Sequence, residues 1–121
     1  MSIDYVLSVN ADLLRVKARG RDDDVREVIA YGLAVADAAA KAECSRVLCD
    51  ETELEYALTT IDTFETARIL ADRAPRLAKV AIACRPSQID DARFWETVAV
   101  NRGLRVRVFA SLAEAEAWIA S

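Results

Sequence analysis

Two uninterrupted apolar runs, Val47-Leu48-Cys49 and Val80-Ala81-Ile82-Ala83-Cys84, constrain the fold of this chain more than any other feature. A strand with one wet face alternates apolar and polar residues, whereas a run that is apolar at every position needs cover on both faces. Such runs predict adjacent central strands of a parallel sheet, and parallel neighbours need a crossover long enough to hold a helix. The intervening sequence supplies one. Asp62-Thr63-Phe64-Glu65 has capping-box spacing and opens a helical pattern through Ala67, Ile69 and Leu70 that Pro75 ends.

The flanks extend this unit in both directions. Ile3, Tyr5, Leu7 and Val9 alternate with Asp4, Val6 and Ser8, and Leu14, Val16 and Ala18 alternate with Arg15, Lys17 and Arg19, which predicts two strands joined by a tight turn at Asn10-Ala11. Gly20 is read as the break of the second strand. Asp24 and Glu27 then form a capping box for a helix carrying Val25, Val28, Ile29, Gly32, Val35 and Ala39, ending near Ala42. Ser87 and Asp90 open a further helix with Ile89, Phe94, Trp95 and Val98, stopped at Gly103. Val106 and Val108 mark a last strand, and Ser111 with Glu114 caps a final helix. The order β-β-α-β-α-β-α-β-α predicts an α/β domain spanning residues 1–121, with a mostly parallel five-stranded sheet, an antiparallel N-terminal edge strand and flanking helices. At 121 residues the chain can bury roughly two thirds of its unfolded surface around one core.

Composition removes several function classes. With no His, Ser-His and Cys-His catalysis and His-ligated metals are absent together. The three cysteines, Cys44, Cys49 and Cys84, form no C-x-x-C pair; Cys49 and Cys84 sit inside apolar runs as small core residues, and Cys44 is the more exposed candidate. Sixteen Lys and Arg against twenty Asp and Glu leave a net charge of -4, which disfavours nucleic acid as a partner. No apolar stretch approaches the ~20 residues of a membrane span, and Met1 to Asn10 lacks a basic start, so a cytoplasmic protein is expected.

The element order, together with Arg46-Val-Leu-Cys-Asp50, Lys79-Val-Ala-Ile-Ala83, Val106-Arg-Val-Phe109 and Glu114-Ala-Glu-Ala-Trp118-Ile119, resembles the SpoIIAA-like domains. This class includes the STAS domains of anti-sigma-factor antagonists and the Sec14 lipid-binding domain. The resemblance covers essentially the whole chain and implies a regulatory protein-interaction module. In the STAS antagonists a phosphorylated serine lies in an Asp-Ser-Ser-Gly signature. The matching stretch here is Asp62-Thr63-Phe64-Glu65, in which Phe64 replaces the acceptor serine and Glu65 the glycine, so the usual serine phospho-switch is not expected.

Six acids and no Lys or Arg lie between Asp50 and Glu65, after a predicted central strand, where ligands of open α/β sheets gather. The spacing lacks the D-x-D-x-D-G pattern of a calcium loop, and the stretch reads as a solvated acidic loop. The candidate partner- or ligand-binding residues are Asp50, Glu51, Glu53, Glu55, Thr60, Asp62, Thr63 and Phe64. Thr59, Thr60 and Thr63 near a helix start read as capping and turn residues, with phosphate acceptance as the sharper alternative. Asp50 at a strand end invites comparison with the receiver-domain aspartate, but no acid pair follows Val9-Asn10 and no Lys follows Phe109-Ala110, so phosphoaspartate chemistry is not expected. Arg15, Lys17 and Arg19 on one strand, and Arg105 and Arg107 on another, read as edge protection. The resulting expectation is a non-enzymatic module that binds a protein partner and uses no cofactor or metal. The alternative is a Sec14-like binder of a lipid or small apolar ligand in a groove lined by Tyr56, Leu58, Phe64, Phe94 and Trp95.

Overall fold

The computed structural model describes residues 2–74 and 78–121. The strands are β1 (Ile3–Asn10), β2 (Leu13–Asp22), β3 (Arg46–Tyr56), β4 (Lys79–Ala83) and β5 (Val106–Phe109). The helices are α1 (Val25–Lys41), α2 (Thr60–Arg73), α3 (Ile89–Asn101) and α4 (Leu112–Ala120). One sheet has the order β1-β2-β3-β4-β5; β1 runs antiparallel to β2 at the edge, and every other pair is parallel. The two apolar runs lie side by side, with Val47 opposite Val80 and Cys49 opposite Ile82. They are covered on both faces, as their composition requires.

The cover is unequal. The three crossover helices α1, α2 and α3 lie on one face, over Leu14, Val16, Val47, Cys49, Leu54 and Ile82. On the other face α4 is the only helix among the described residues, packing Ala115 and Ile119 onto Leu48, Ala81 and Ala83. α1 and α3 pack against strands, whereas α2 packs mainly against α1 and α3 and stands off from the sheet. No helix among the described residues is long and apolar enough to cross a membrane.

Several local expectations are corrected by tertiary contacts. Gly20 does not end β2, which continues to Asp22; it takes a φ of 110°, and a Cβ there would lie 2.0 Å from the Ser2 carbonyl oxygen. Asp24 caps α1 by accepting from the Arg26 and Glu27 N–H groups. The Glu27 carboxylate does not return to it but accepts from the Ser2 and Ile3 N–H groups, tying down the start of β1. Thr59, not Asp62, caps α2, which places Asp62 and Thr63 inside its first turn, and Glu65 pairs with Arg68. Pro75 lies outside the described residues, and α2 ends at Arg73. Ser87 makes no cap; it sits in a 3-10 turn over Pro86–Gln88. Cys44 is buried, like Cys49 and Cys84.

Candidate functional site

The largest correction concerns the acidic segment. It is not a loop: β3 runs on through Asp50 to Tyr56. Lys17 faces Asp50 while Arg19 faces Glu53, so two residues of β2 span three of β3 and an extra residue bulges in β3. Strict alternation would put Glu51, Glu53 and Glu55 on one face. The bulge separates them instead, sending Glu51 inward with Cys49 and Leu54 and turning Glu53 and Glu55 to the face that carries Asp50. Arg85 stabilises the irregularity by donating from Nε to the Thr52 carbonyl at 3.0 Å.

On the outer face the acids are matched by the basic residues of β2. Lys17 Nζ lies 3.0 Å from Asp50 Oδ2 and 2.7 Å from Glu53 Oε2, and Arg21 pairs with Glu55 at 3.3 Å. Arg15 reaches Glu116 of α4 at 2.9 Å. Burial works against the Asp50 carboxylate, but the Thr52 hydroxyl and N–H and the Lys17 ammonium outweigh it and hold its pKa below the usual range. These pairs cancel much of the acidic field expected for this segment.

Glu51 is 7% exposed, and its carboxylate accepts hydrogen bonds from both neighbouring tyrosines: Tyr31 Oη to Oε2 at 2.8 Å and Tyr56 Oη to Oε1 at 2.5 Å. Burial pushes the Glu51 pKa up, against the pull of the two hydroxyls. Asp22, at the end of β2, accepts the Ala57 N–H through Oδ1 at 2.8 Å. Its own burial, reinforced by the charges of Glu51, Asp23 and Asp91, pushes its pKa up to about 7. Gln88 bridges the end of β3, accepting from the Tyr56 N–H and donating to the Leu54 carbonyl.

These carboxylates border a cavity of about 180 Å³ between the sheet and α1–α3. Two features make the space: α2 stands off from the strands, and small residues (Gly32, Ala36, Ala39, Ala40, Ala78, Ala92) face it. The walls are mostly apolar, with Val35, Leu70, Ile82, Val108 and Trp95 among them. Of the expected groove residues, Tyr56, Leu58 and Trp95 line the cavity. Phe64 and Phe94 do not; both are exposed, and Phe64 lies under the Arg102 guanidinium.

The sequence-derived site is therefore divided among three places. Asp50, Glu53 and Glu55 lie on the outer face of the sheet. Glu51 and Thr63 line the cavity, Thr60 and Asp62 lie in the first turn of α2, and the exposed Phe64 follows them. Thr63 Oγ1 donates to the Thr59 carbonyl and Thr59 Oγ1 accepts the Asp62 N–H, which are capping roles. Sequence reasoning missed Asp22, Tyr31, Gln88 and Arg85. A polar residue at a core position of an otherwise apolar pattern, Tyr31 among Val28 and Val35, was the available signal. Among the described residues no three His, Cys, Asp or Glu converge as metal ligands. Burial pushes the Cys49 thiol well up and Cys84 to about 11, which suppresses the nucleophilic thiolate in both.

No protein-family model and no curated protein matches this chain. Solved structures do. An anti-sigma factor antagonist from Mycobacterium paratuberculosis superposes with a TM-score of 0.65 at 12% identity, over 99% of this chain and 96% of that one. An uncharacterized protein of the DUF3478 family from Shewanella loihica PV-4, described as having a SpoIIAA-like fold, superposes with a TM-score of 0.59 at 18% identity, over 98% and 94%. The chain has the SpoIIAA-like fold.

Proposed function

We propose that this protein is a non-catalytic, cytoplasmic binder of a small, largely apolar molecule, held in the cavity between the sheet and α1–α3. The carrying observation is that cavity: a concave, apolar space with a few convergent polar groups at one end is the usual form of a small-molecule site. Its volume sets the scale of the ligand. An apolar cavity of roughly 150 Å³ accommodates benzene, so a one- or two-ring body fits here and a two-chain lipid does not. Buried, unreactive thiols and the lack of any His support binding rather than turnover.

Indole, which is neutral and compact, is the test ligand. Titration is expected to shift the methyl NMR signals of Val35, Leu70 and Ile82 in a saturable way. Ala36→Leu, which places three more carbons in the space, is expected to abolish those shifts while leaving stability unchanged or raised by up to ~1 kcal/mol. Shifts confined to surface residues, or retained in full by Ala36→Leu, would sink the reading.

A second reading is a contact surface for another protein, consistent with the anti-sigma factor antagonist fold. The start of α2 favours it: Ile61 is 76% exposed, and Phe64, three residues on and also exposed, lies beside it. Ile61→Asp is expected to abolish co-purification of a partner from the native host while changing stability by less than ~0.5 kcal/mol. A partner retained at full yield by that variant would place its contact elsewhere.

A further inference from the structure

We propose that the cavity selects a compact apolar molecule bearing a protonated amine, with the amine held against Glu51. The inference rests on the ligand-binding reading above and specifies the chemistry of the occupant. Three ionisable acids border the cavity, Glu51 and Asp22 in its wall and the more exposed Asp91 at its rim, and no Lys or Arg lines it among the described residues. A buried carboxylate or phosphate on a ligand would meet like charge and no cation, a combination that strongly opposes binding. A cation meets the opposite situation.

The hydrogen-bonding inventory agrees with the charge. A carboxylate offers about four acceptor positions. Tyr31 and Tyr56 occupy one on each oxygen of Glu51, leaving acceptor capacity on both, and each tyrosine oxygen keeps its own lone pairs. An ammonium group has three donors and no acceptor, so it can use these sites without displacing either tyrosine. The aromatic rings of Tyr31, Tyr56 and Trp95 at the walls add cation–π attraction, which is strongest where water is excluded. A neutral alcohol would fill the same space with one donor and no charge. Burial already pushes the Glu51 and Asp22 pKa values up, the behaviour of carboxylates held without a cation, and an ammonium would reverse that cost.

The test is a calorimetric comparison of 2-phenylethylamine, 2-phenylethanol and phenylacetate, which share a body and differ in the charge of the head. The amine is expected to bind at least tenfold more tightly than the alcohol, with no detectable phenylacetate binding. Glu51→Gln, which keeps the size and acceptor oxygen of the side chain, is expected to lower amine affinity tenfold or more and leave alcohol affinity within twofold. Alcohol binding by that variant also reports that it is folded. Alcohol or phenylacetate binding as tight as the amine, or amine affinity unchanged by Glu51→Gln, overturns the selectivity and leaves the cavity reading standing. Binding of none of the three overturns both.

Discussion

Asp22→Asn is expected to stabilise the protein at pH 8 by about 2–4 kcal/mol and to flatten most of its stability dependence between pH 4 and 7. The Asp22 pKa is pushed up to about 7 by burial first, then by the neighbouring charges of Glu51, Asp23 and Asp91; the Ala57 N–H opposes the shift. A group whose folded pKa exceeds its unfolded value binds its proton more tightly in the native state. Between the unfolded value near 4 and the folded value near 7 the native chain therefore holds a proton that the unfolded chain has released, and stability falls as pH rises through this window. Glu51, also raised by burial, adds a contribution of the same sign. Asp50, held low by Thr52 and Lys17, acts oppositely at more acidic pH, where its protonation removes stability. The combined expectation is a stability maximum on the acidic side of neutrality. The asparagine side chain keeps an oxygen to accept the Ala57 N–H and carries no charge to desolvate. Urea denaturation of both proteins at pH 5 and pH 8 reads the effect; equal stabilities at the two pH values in the unsubstituted protein would falsify this account of Asp22.

Gly20→Ala is expected to cost about 3 kcal/mol, with the loss centred on the β1 end of the sheet. Gly20 has a φ of 110°, a conformation that L side chains rarely adopt, and its added Cβ would lie 2.0 Å from the Ser2 carbonyl oxygen. That oxygen accepts the Arg21 N–H at 2.8 Å, so the collision is with backbone already committed to pairing. Relief requires the start of β1 to move away, which withdraws Ile3 from the core and the Ser2 and Ile3 N–H groups from Glu27. Gly32→Ala is the informative control. Its Cβ would lie 2.7 Å from two Leu70 methyl carbons, but Leu70 borders the cavity and can turn into it. The gain in helix propensity, about 1 kcal/mol, offsets what repacking remains. Denaturation midpoints of the two variants should therefore differ clearly, and faster amide exchange at Arg21 should accompany Gly20→Ala alone. A loss below ~1 kcal/mol for Gly20→Ala would show that the β1 start yields without cost.

Local pattern carried the element order because its causes are local. Ser111 and Asp24 cap the helices they precede through their own side chains, and the runs at Val47 and Val80 are central because an uninterrupted apolar strand has no face that water can wet. The basic face of β2 was also legible, since Arg15, Lys17 and Arg19 alternate with apolar residues. Where a feature depends on what another segment does, pattern misled. Glu27 has capping-box spacing, yet the free N–H groups of Ser2 and Ile3 lie within its reach and take its carboxylate.

The sequence by itself thus determined the strand and helix order, the two-sided burial of β3 and β4 and the edge position of β1, all consequences of periodicity and capping along a few residues. Only the tertiary structure decided which acids face inward. One extra residue in β3 inverts the alternation after Glu51, and the bulge is visible only against the register of β2. The same holds for the cavity: its lining residues are scattered over α1, β3–β5 and α2–α3. Their side chains bound a common space only because α2 packs on its neighbouring helices and stands off from the strands. A volume is set by distances between elements, and those distances are a property of the assembled packing rather than of any one segment.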